Sequence, residues 1–134
     1  MQERGNHMPD LKIGLSASAT TTVCAANTAA AMKSGSLPVF ATPAMCALME
    51  EAACAAVNPC LDKGTGSVGT CLSISHMRAT PVGVTVTATA TLTAIADRKL
   101  TFSVVATDDR GLIGSGSHER FLINNEKFLA RTVR

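Results

Sequence analysis

The sequence predicts an α+β domain in which a long antiparallel β-sheet curls around one central α-helix. Residues 43–57 form a long helical segment that is apolar on nearly every side, which is typical of a buried helix. Four segments after it alternate apolar residues with small or polar ones, the pattern of strands with one buried face. A buried helix and a sheet with a single apolar face pack together when the sheet wraps around the helix.

The size and charge of the chain restrict its class. Its 134 residues fit one domain with its own core, and we predict a flexible N-terminal segment over residues 1–9 and the domain over residues 10–134. The formal charge of +2 comes without a basic run, so nucleic acid is not an expected partner. No segment has the character of a signal-peptide core or a membrane span, which predicts a cytoplasmic protein without membrane contact.

The cysteines indicate neither a metal site nor disulfides. The chain has five, an odd number, and no two have the C-x-x-C spacing of zinc or redox motifs. We expect free thiols that act as small apolar residues in a reducing compartment. We also expect no metal and no cofactor.

The central helix has a start signal and a stop signal. Thr42 stands at the expected N-cap and Pro43 at the first helical position, while Asn58-Pro59 ends the helix. The preceding residues 25–38 combine an alanine run with a Ser-Gly-Ser-Leu-Pro stretch. This composition indicates a loop or lid that has room for a short helical turn.

Five segments are predicted as strands, at residues 11–24, 67–79, 84–95, 99–107 and 112–123. The last three are joined by the short, hairpin-like connectors 97–98 and 108–111. Because the last four strands follow one another along the chain, we expect them to form an antiparallel meander. A long sheet curled around one helix is the architecture of the hot dog fold.

Glu50 and Glu51 are the only charged residues of the central helix. Glu50 shares a helical face with Cys46 and Cys54, so its carboxylate lies in a stripe of small residues that a substrate can approach. A charge in a buried helix needs a partner or a task. The alternative is that a glutamate simply emerges at an exposed edge of the helix, and this alternative is stronger for Glu51.

His76 is the candidate proton-transfer residue. It shares strand parity with Val68, Thr70, Leu72 and Ile74, which points its ring toward the helix. A histidine beside a carboxylate is a common general acid–base arrangement. From the pattern alone, a structural core histidine is the slightly simpler interpretation.

His118 is a second candidate histidine, and residues 64–69 match the spacing G-x-G-x-x-G without its context. The dinucleotide-binding motif needs a strand before it and a helix after it, whereas here a helix precedes and a strand follows. The glycines are better explained by a tight turn and a close backbone approach at the start of a strand.

Several segments of the sequence are distinctive when taken together. They are Val39-Phe40-Ala41-Thr42, Leu48-Met49-Glu50, residues 64–69 with Ser73–His76, and Gly114-Ser115-Gly116 with His118-Glu119-Arg120. In the same order and spacing, these segments resemble the fluoroacetyl-CoA thioesterase family. The similarity runs from about residue 39 to residue 131. It implies a hot dog acyl-CoA thioesterase that works without a metal.

The resemblance also implies the site residues. It assigns Thr42, Glu50 and His76 as the catalytic group, and Gly69 and Arg120 as substrate contacts. In these roles Glu50 attacks the thioester carbonyl or activates water, and His76 moves protons. Thr42 orients the carboxylate or the carbonyl, the Gly69 N–H stabilises the oxyanion, and Arg120 holds an anionic or carbonyl part of the CoA arm.

Two departures from the family pattern bear on specificity. The family has an aromatic lid residue shortly before its Val-Phe-Ala-Thr stretch, where this chain has Ser36-Leu37-Pro38. Glu51 stands where the family has a large aromatic residue. We therefore expect a short-chain acyl-CoA substrate and leave fluoroacetyl specificity open.

Two other functions remain compatible with the sequence. A non-catalytic acyl-CoA binding module keeps Gly69 and Arg120 but can dispense with Glu50. A hot dog hydratase or dehydratase needs an aspartate and a histidine in one cleft, and the nearby aspartate, Asp62, lies in a loop.

A homodimer is the expected assembly. Exposed sheet edges pair readily with a second copy. Eight residues of helix also separate Thr42 from Glu50 by about 12 Å along the axis. That separation favours a site that draws these two groups from different subunits.

Overall fold

A computed structural model describes residues 10–134, so the predicted N-terminal segment 1–9 lies outside the described residues. The chain has two short 3-10 turns, at Ala25–Asn27 and Asn58–Cys60, in addition to its helices and strands. Those elements are β1 (Ser16–Thr22), α1 (Ala29–Met32), α2 (Thr42–Val57), β2 (Thr65–His76), β3 (Thr85–Ala96), β4 (Lys99–Asp108), β5 (Gly111–Asn124) and α3 (Asn125–Ala130).

The five strands form one antiparallel sheet in the order β1-β3-β4-β5-β2. The predicted meander is right for β3, β4 and β5 and wrong for β2, which pairs with β5 instead of β3. The reason is that β1 occupies the free side of β3. The strands β1 and β2 are therefore the two edges of the sheet.

The sheet curls around α2, which packs against β1, β3, β4 and β2. The helix contributes Met45, Leu48, Met49, Ala52, Ala53, Ala56 and Val57 to the core. The prediction that this helix is buried on every side is wrong, because the opposite face, with Ala47 and Ala55, is exposed in the single chain. Because alanine is apolar, the sequence does not distinguish the exposed face of this helix from the buried face.

The start of α2 differs by one residue from the prediction. Ala41 is the N-cap, without a side-chain hydrogen bond, and Thr42 is the first helical residue. The Thr42 hydroxyl is instead engaged in a contact with His76. Upstream, the short helical turn expected within residues 25–38 is present as α1, and the Thr28 hydroxyl caps it by accepting a hydrogen bond from Ala31 N–H.

A β-bulge in β2 decides which side chains face the helix. The register with β5 shifts between Gly69 and Cys71. The predicted common parity of residues 68–76 is therefore wrong before the bulge and right after it. Leu72 and Ile74 pack against the core, and His76 continues their alternation as a half-buried residue.

Candidate active site

Thr42 and His76 form a hydrogen-bonded pair at the start of α2. The Thr42 Oγ1 atom lies 2.8 Å from His76 Nδ1. Burial lowers the pKa of His76, against a smaller opposing contribution from a backbone hydrogen bond at Arg78, so the ring is neutral at pH 7. The buried Nε2 atom has no hydrogen-bond partner among residues 10–134, which leaves this nitrogen for a reacting group.

This pair lines a cleft of about 220 Å³. The walls come from the segment before α2 and from the chain that follows β2. The lining includes Ala29, Ser34, Phe40 and Met77. The residues predicted as a loop or lid therefore border the Thr42–His76 pair.

Two buried residues of β5, Arg120 and His118, lie against the Glu50 carboxylate. Its Oε2 atom lies 3.5 Å from Arg120 Nη1 and 3.9 Å from His118 Nε2. The Glu50 side chain is 43% exposed, whereas the side chains of Arg120 and His118 are 7% and 1% exposed. The carboxylate is thus open to a reactant on one side and fixed by charge and hydrogen bonding on the other.

The hydrogen bonds of His118 define its tautomer. Nδ1 lies 2.8 Å from the Cys71 carbonyl oxygen, which can only accept, so Nδ1 carries the proton. Nε2 then accepts a hydrogen bond from Arg120 Nη1 at 3.2 Å. Burial lowers the pKa of His118, and Arg120 lowers it further, against the Cys71 carbonyl and Glu50. His118 is therefore a neutral acceptor that orients Arg120.

Arg120 is anchored to β2 by two further bonds. Its Nε donates to Ser67 Oγ at 2.9 Å, and its Nη2 donates to the Ser67 carbonyl oxygen at 3.1 Å. These bonds hold the guanidinium plane beneath Glu50. In the single chain its contacts are thus internal, and the predicted contact with substrate stays a prediction.

Gly69 allows the carboxylate of Glu50 to approach the sheet. A Cβ atom at this position would collide with Glu50 Oε2. It would also lie 3.2 Å from His118 Cε1 and 3.3 Å from Arg120 Nη1. The close backbone approach predicted from the glycine pattern is confirmed here.

The predicted site residues therefore fall into two groups within one chain. Thr42 and His76 form one, and Glu50, Gly69 and Arg120 form the other. Eight residues of α2 place Glu50 about 12 Å from Thr42 along the helix axis. Gly69 and His76 are likewise roughly 20 Å apart along β2.

His118 completes the second group, although the sequence indicated it only as a second candidate. The signal was its spacing of two residues from Arg120, which puts both side chains on one face of β5. What the sequence could not give was the pairing of Leu72 with His118, which brings Cys71 and Gly69 beside this face.

Cys46, Glu51 and Asp62 stay outside this chemistry. Burial first, and then the nearby Glu50 charge, raises the pKa of Cys46, so its sulfur stays a thiol. Glu51 is exposed and lines a different groove, in agreement with an edge residue. Asp62 is exposed in the loop after α2 and makes no side-chain hydrogen bond or ion pair with a described residue.

A carboxylate in the β4–β5 hairpin holds the segment that follows His76. Asp108 Oδ1 lies 3.2 Å from Arg78 Nη2, and Asp108 Oδ2 accepts a 2.7 Å hydrogen bond from Thr80 Oγ1. Burial alone would raise the pKa of Asp108, but the Thr80 hydroxyl, the Arg110 N–H and the two arginine charges outweigh it and lower that pKa. Asp108 thus ties the segment two to four residues beyond His76 to the end of β4.

Two searches of the described part of the chain bear on cofactors and membranes. Among residues 10–134, no group of three or more His, Cys, Asp or Glu side chains is arranged to hold a metal ion. No helix in the same range is long and apolar enough to cross a membrane.

Comparison with known proteins gives consistent matches to thioesterases. The family described as fluoroacetyl-CoA-specific thioesterase matches residues 23–126. The fluoroacetyl-CoA thioesterase of Streptantibioticus cattleyicolor is 48% identical over 93 residues, which cover 69% of this chain and 67% of that protein.

Solved structures agree with these matches. A fluoroacetyl-CoA thioesterase structure has a TM-score of 0.85 at 38% identity, covering 92% of this chain and 96% of the other. A hot-dog-like protein from Thermanaerovibrio acidaminovorans, at 21% identity, has a TM-score of 0.81 over 89% of this chain and 88% of its own, which shows the fold alone. The predicted hot dog fold is confirmed, and the chain belongs to the fluoroacetyl-CoA-specific thioesterase family.

Proposed function

We propose that the protein is an acyl-CoA thioesterase that hydrolyses a short-chain thioester in a site shared by two subunits. One observation carries the proposal. The half-exposed Glu50 carboxylate is held against Gly69 by the buried pair of Arg120 and His118. Such a fixed and accessible anion suits attack on a carbonyl or activation of water, and the family of the chain is one of thioesterases.

The two groups of residues divide the reaction between them. Glu50, or a water that it activates, adds to the thioester carbonyl, and the Gly69 N–H stabilises the oxyanion. Where water attacks, the neutral His76 ring takes up a proton that this water releases and passes it to the thiolate of CoA as the C–S bond breaks. Where Glu50 itself attacks, CoA leaves from a mixed anhydride, a water then hydrolyses that anhydride, and His76 takes up the proton of this water. The acyl group leaves as a carboxylic acid in both cases.

The free edge of β2 supports a homodimer with this shared site. β2 has a partner strand on one side only. Antiparallel pairing of two β2 strands, centred between Leu72 and Ser73, would set Gly69 opposite His76 of the partner subunit. The exposed outer face of α2 is then available to the second subunit as well.

Two alternatives fit the geometry less well. A hydratase needs an aspartate beside the histidine, and Asp62 is exposed in a loop without a side-chain contact to His76. A pure binding module has no use for a carboxylate supported by a buried arginine and histidine, because burial of these groups is costly. A reducing cytoplasm, which suits the five free cysteines, remains our expectation for its location.

The first prediction is turnover that depends on Glu50. The purified protein, with EDTA present, should hydrolyse at least one member of a panel of acetyl-, propionyl-, malonyl-, fluoroacetyl- and aromatic acyl-CoA esters. Glu50→Gln should lower kcat by at least about a hundredfold, because the neutral amide cannot act as nucleophile or base. Loss of thioester absorbance is the suitable readout, since the free cysteines react with thiol reagents.

Glu51→Gln is the matched control, one residue further along the helix, and it should keep turnover close to the unmutated level. Circular dichroism should give the same spectrum for both variants. Absence of hydrolysis across the whole panel would contradict the thioesterase proposal. Loss of turnover in Glu51→Gln with activity retained in Glu50→Gln would contradict the assignment of Glu50.

The second prediction concerns the shared site. Thr42→Ala and Glu50→Gln proteins, each inactive, should regain activity when they are unfolded and refolded together. With random pairing, half of the dimers are mixed and each has one intact site, so roughly a quarter of the unmutated activity should return. Persistent inactivity, with mixed dimers confirmed by mass, would place both residues in one chain.

A further inference from the structure

A groove of about 210 Å³ lies where the β3–β4 turn, the end of β5 and α3 meet. We call it the cationic groove. Its lining residues are Arg98, Ile123, Asn124, Lys127, Phe128 and Arg131. Backbone hydrogen bonds fix its frame, since Leu122 N–H donates to the Arg98 carbonyl at 2.9 Å and Asn125 N–H donates to the Gly64 carbonyl at 3.0 Å.

The three cations of the groove are not neutralised by the chain itself. Arg98, Lys127 and Arg131 are exposed, and within residues 10–134 none of their side chains forms an ion pair or a hydrogen bond. Glu126, the acidic residue of α3, is not part of the lining. Three unpaired cations on a fixed frame favour a ligand with more than one negative charge, such as a group of phosphates.

One wall of the groove favours a base beside those phosphates. Phe128 is half-buried and lines the groove, and Ile123 is a second apolar residue of the lining. Aromatic rings provide stacking surfaces for nucleobases. The combination of three cations with an aromatic ring therefore indicates a nucleotide and not an inorganic ion.

The groove is connected to the proposed active site along β2. It shares Arg98, Ile123 and Asn124 with a neighbouring groove of about 240 Å³ that reaches Thr65. Thr65 is the first residue of β2 and pairs with Asn124. Gly69 follows four residues later in the same strand, a distance of about 13 Å. An elongated ligand with phosphates in the groove can therefore extend toward Gly69.

We infer that the cationic groove binds the phosphorylated adenosine diphosphate end of the CoA thioester whose acyl end meets Gly69 of the same subunit. The inference rests on the proposed thioesterase function and adds the recognition of the nucleotide. The pantetheine arm of the substrate is the elongated chain that joins the two ends.

The third prediction separates the two ends of the substrate. An acyl-CoA should be compared with the matching acyl-pantetheine thioester, which has the same acyl group and arm but no nucleotide. In the double variant Arg98→Gln/Lys127→Gln, KM for the acyl-CoA should rise roughly tenfold, since two charge-assisted contacts are lost. Kinetics with the acyl-pantetheine should stay unchanged, as should kcat for both substrates.

The double variant Lys12→Gln/Arg134→Gln is the control, because it removes the same net charge from two exposed residues that line neither the cationic groove nor the Thr42–His76 cleft. This control should leave both KM values unchanged. An equal rise of KM for both substrates in the groove variant, or an unchanged KM for the acyl-CoA, would overturn the inference.

Direct binding tests the groove independently of turnover. Calorimetric titration with phosphoadenosine diphosphate, the nucleotide fragment of CoA, should give binding that the groove variant weakens about tenfold. Inorganic phosphate should bind more weakly than this fragment. Absence of binding, or binding that the groove variant leaves unaltered, would overturn the inference whether or not the thioesters are hydrolysed. Absence of hydrolysis by itself would contradict the proposed function and not the groove.

Discussion

The burial of single residues sets their protonation state, as His76 and His118 show. Burial lowers the pKa of His76 and of His118 from the ordinary value of 6.5. A neutral His118 can accept a hydrogen bond from Arg120, and a neutral His76 can take up a proton and then pass it on. The same burial makes folding sensitive to acid, because the unfolded chain binds protons that the folded chain does not.

The fourth prediction follows from the sign of that difference. The histidine contribution to stability is present above pH 6.5, the unfolded pKa, and is lost as pH falls through the lowered folded pKa. The free energy of unfolding, measured by urea titration, should therefore decrease between about pH 7 and about pH 5. His118→Gln keeps an amide oxygen for Arg120 but cannot titrate, so its stability should decrease less steeply over this range.

The slope is the readout for His118→Gln, because the change of packing lowers stability at every pH. A substitution that acted through packing alone would give a parallel curve. An unchanged slope would therefore contradict the titration of His118.

Among the elements, the segment between α1 and α2 bears on specificity. It borders the Thr42–His76 cleft through Ser34. Leu37, in the stretch where the family has an aromatic lid residue, is 63% exposed. An exposed aliphatic residue does not cover a cleft as an aromatic ring packed over it does.

The fifth prediction is weak discrimination between acyl groups that differ by fluorine. The ratio of kcat/KM for fluoroacetyl-CoA to that for acetyl-CoA should stay within about a factor of ten, since no aromatic ring in residues 25–38 is available to sense the difference. Both substrates belong to the panel already described. A ratio of several orders of magnitude in favour of fluoroacetyl-CoA would contradict this expectation.

The elements also show what the sequence could and could not predict. Alternating residues located β3, β4 and β5 to within a few residues, because each has one face in the core. The place of β2 was wrong, since pairing with β5 depends on which edge β1 occupies. The N-cap was wrong by one residue because the Thr42 hydroxyl has a tertiary partner, and local capping preferences do not include such partners.

For the whole molecule, the family resemblance identified the site residues, and the fold showed which of them lie together in one chain. Family similarity pointed to Thr42, Glu50 and His76 together, whereas the folded chain separates Glu50 from the other two. His118 was a candidate histidine in the sequence, but its contact with Arg120 beneath Glu50 could not be predicted, because the neighbouring residues depend on strand register across the bulge at Gly69. The idea of a site divided between subunits came from helix rise alone and remains to be tested.

Asp108 gives the molecule a further property, which concerns its evolution. Its carboxylate joins the β4–β5 hairpin to Arg78 and Thr80, just after His76. Arg78 and Thr80 follow His76 by two and four residues, so we expect a change at Asp108 to reach this catalytic candidate through the intervening chain. Across related sequences, positions 78, 80 and 108 should accordingly be replaced together and not one by one. Substitutions in a surface turn would then be constrained by residues beside the active site.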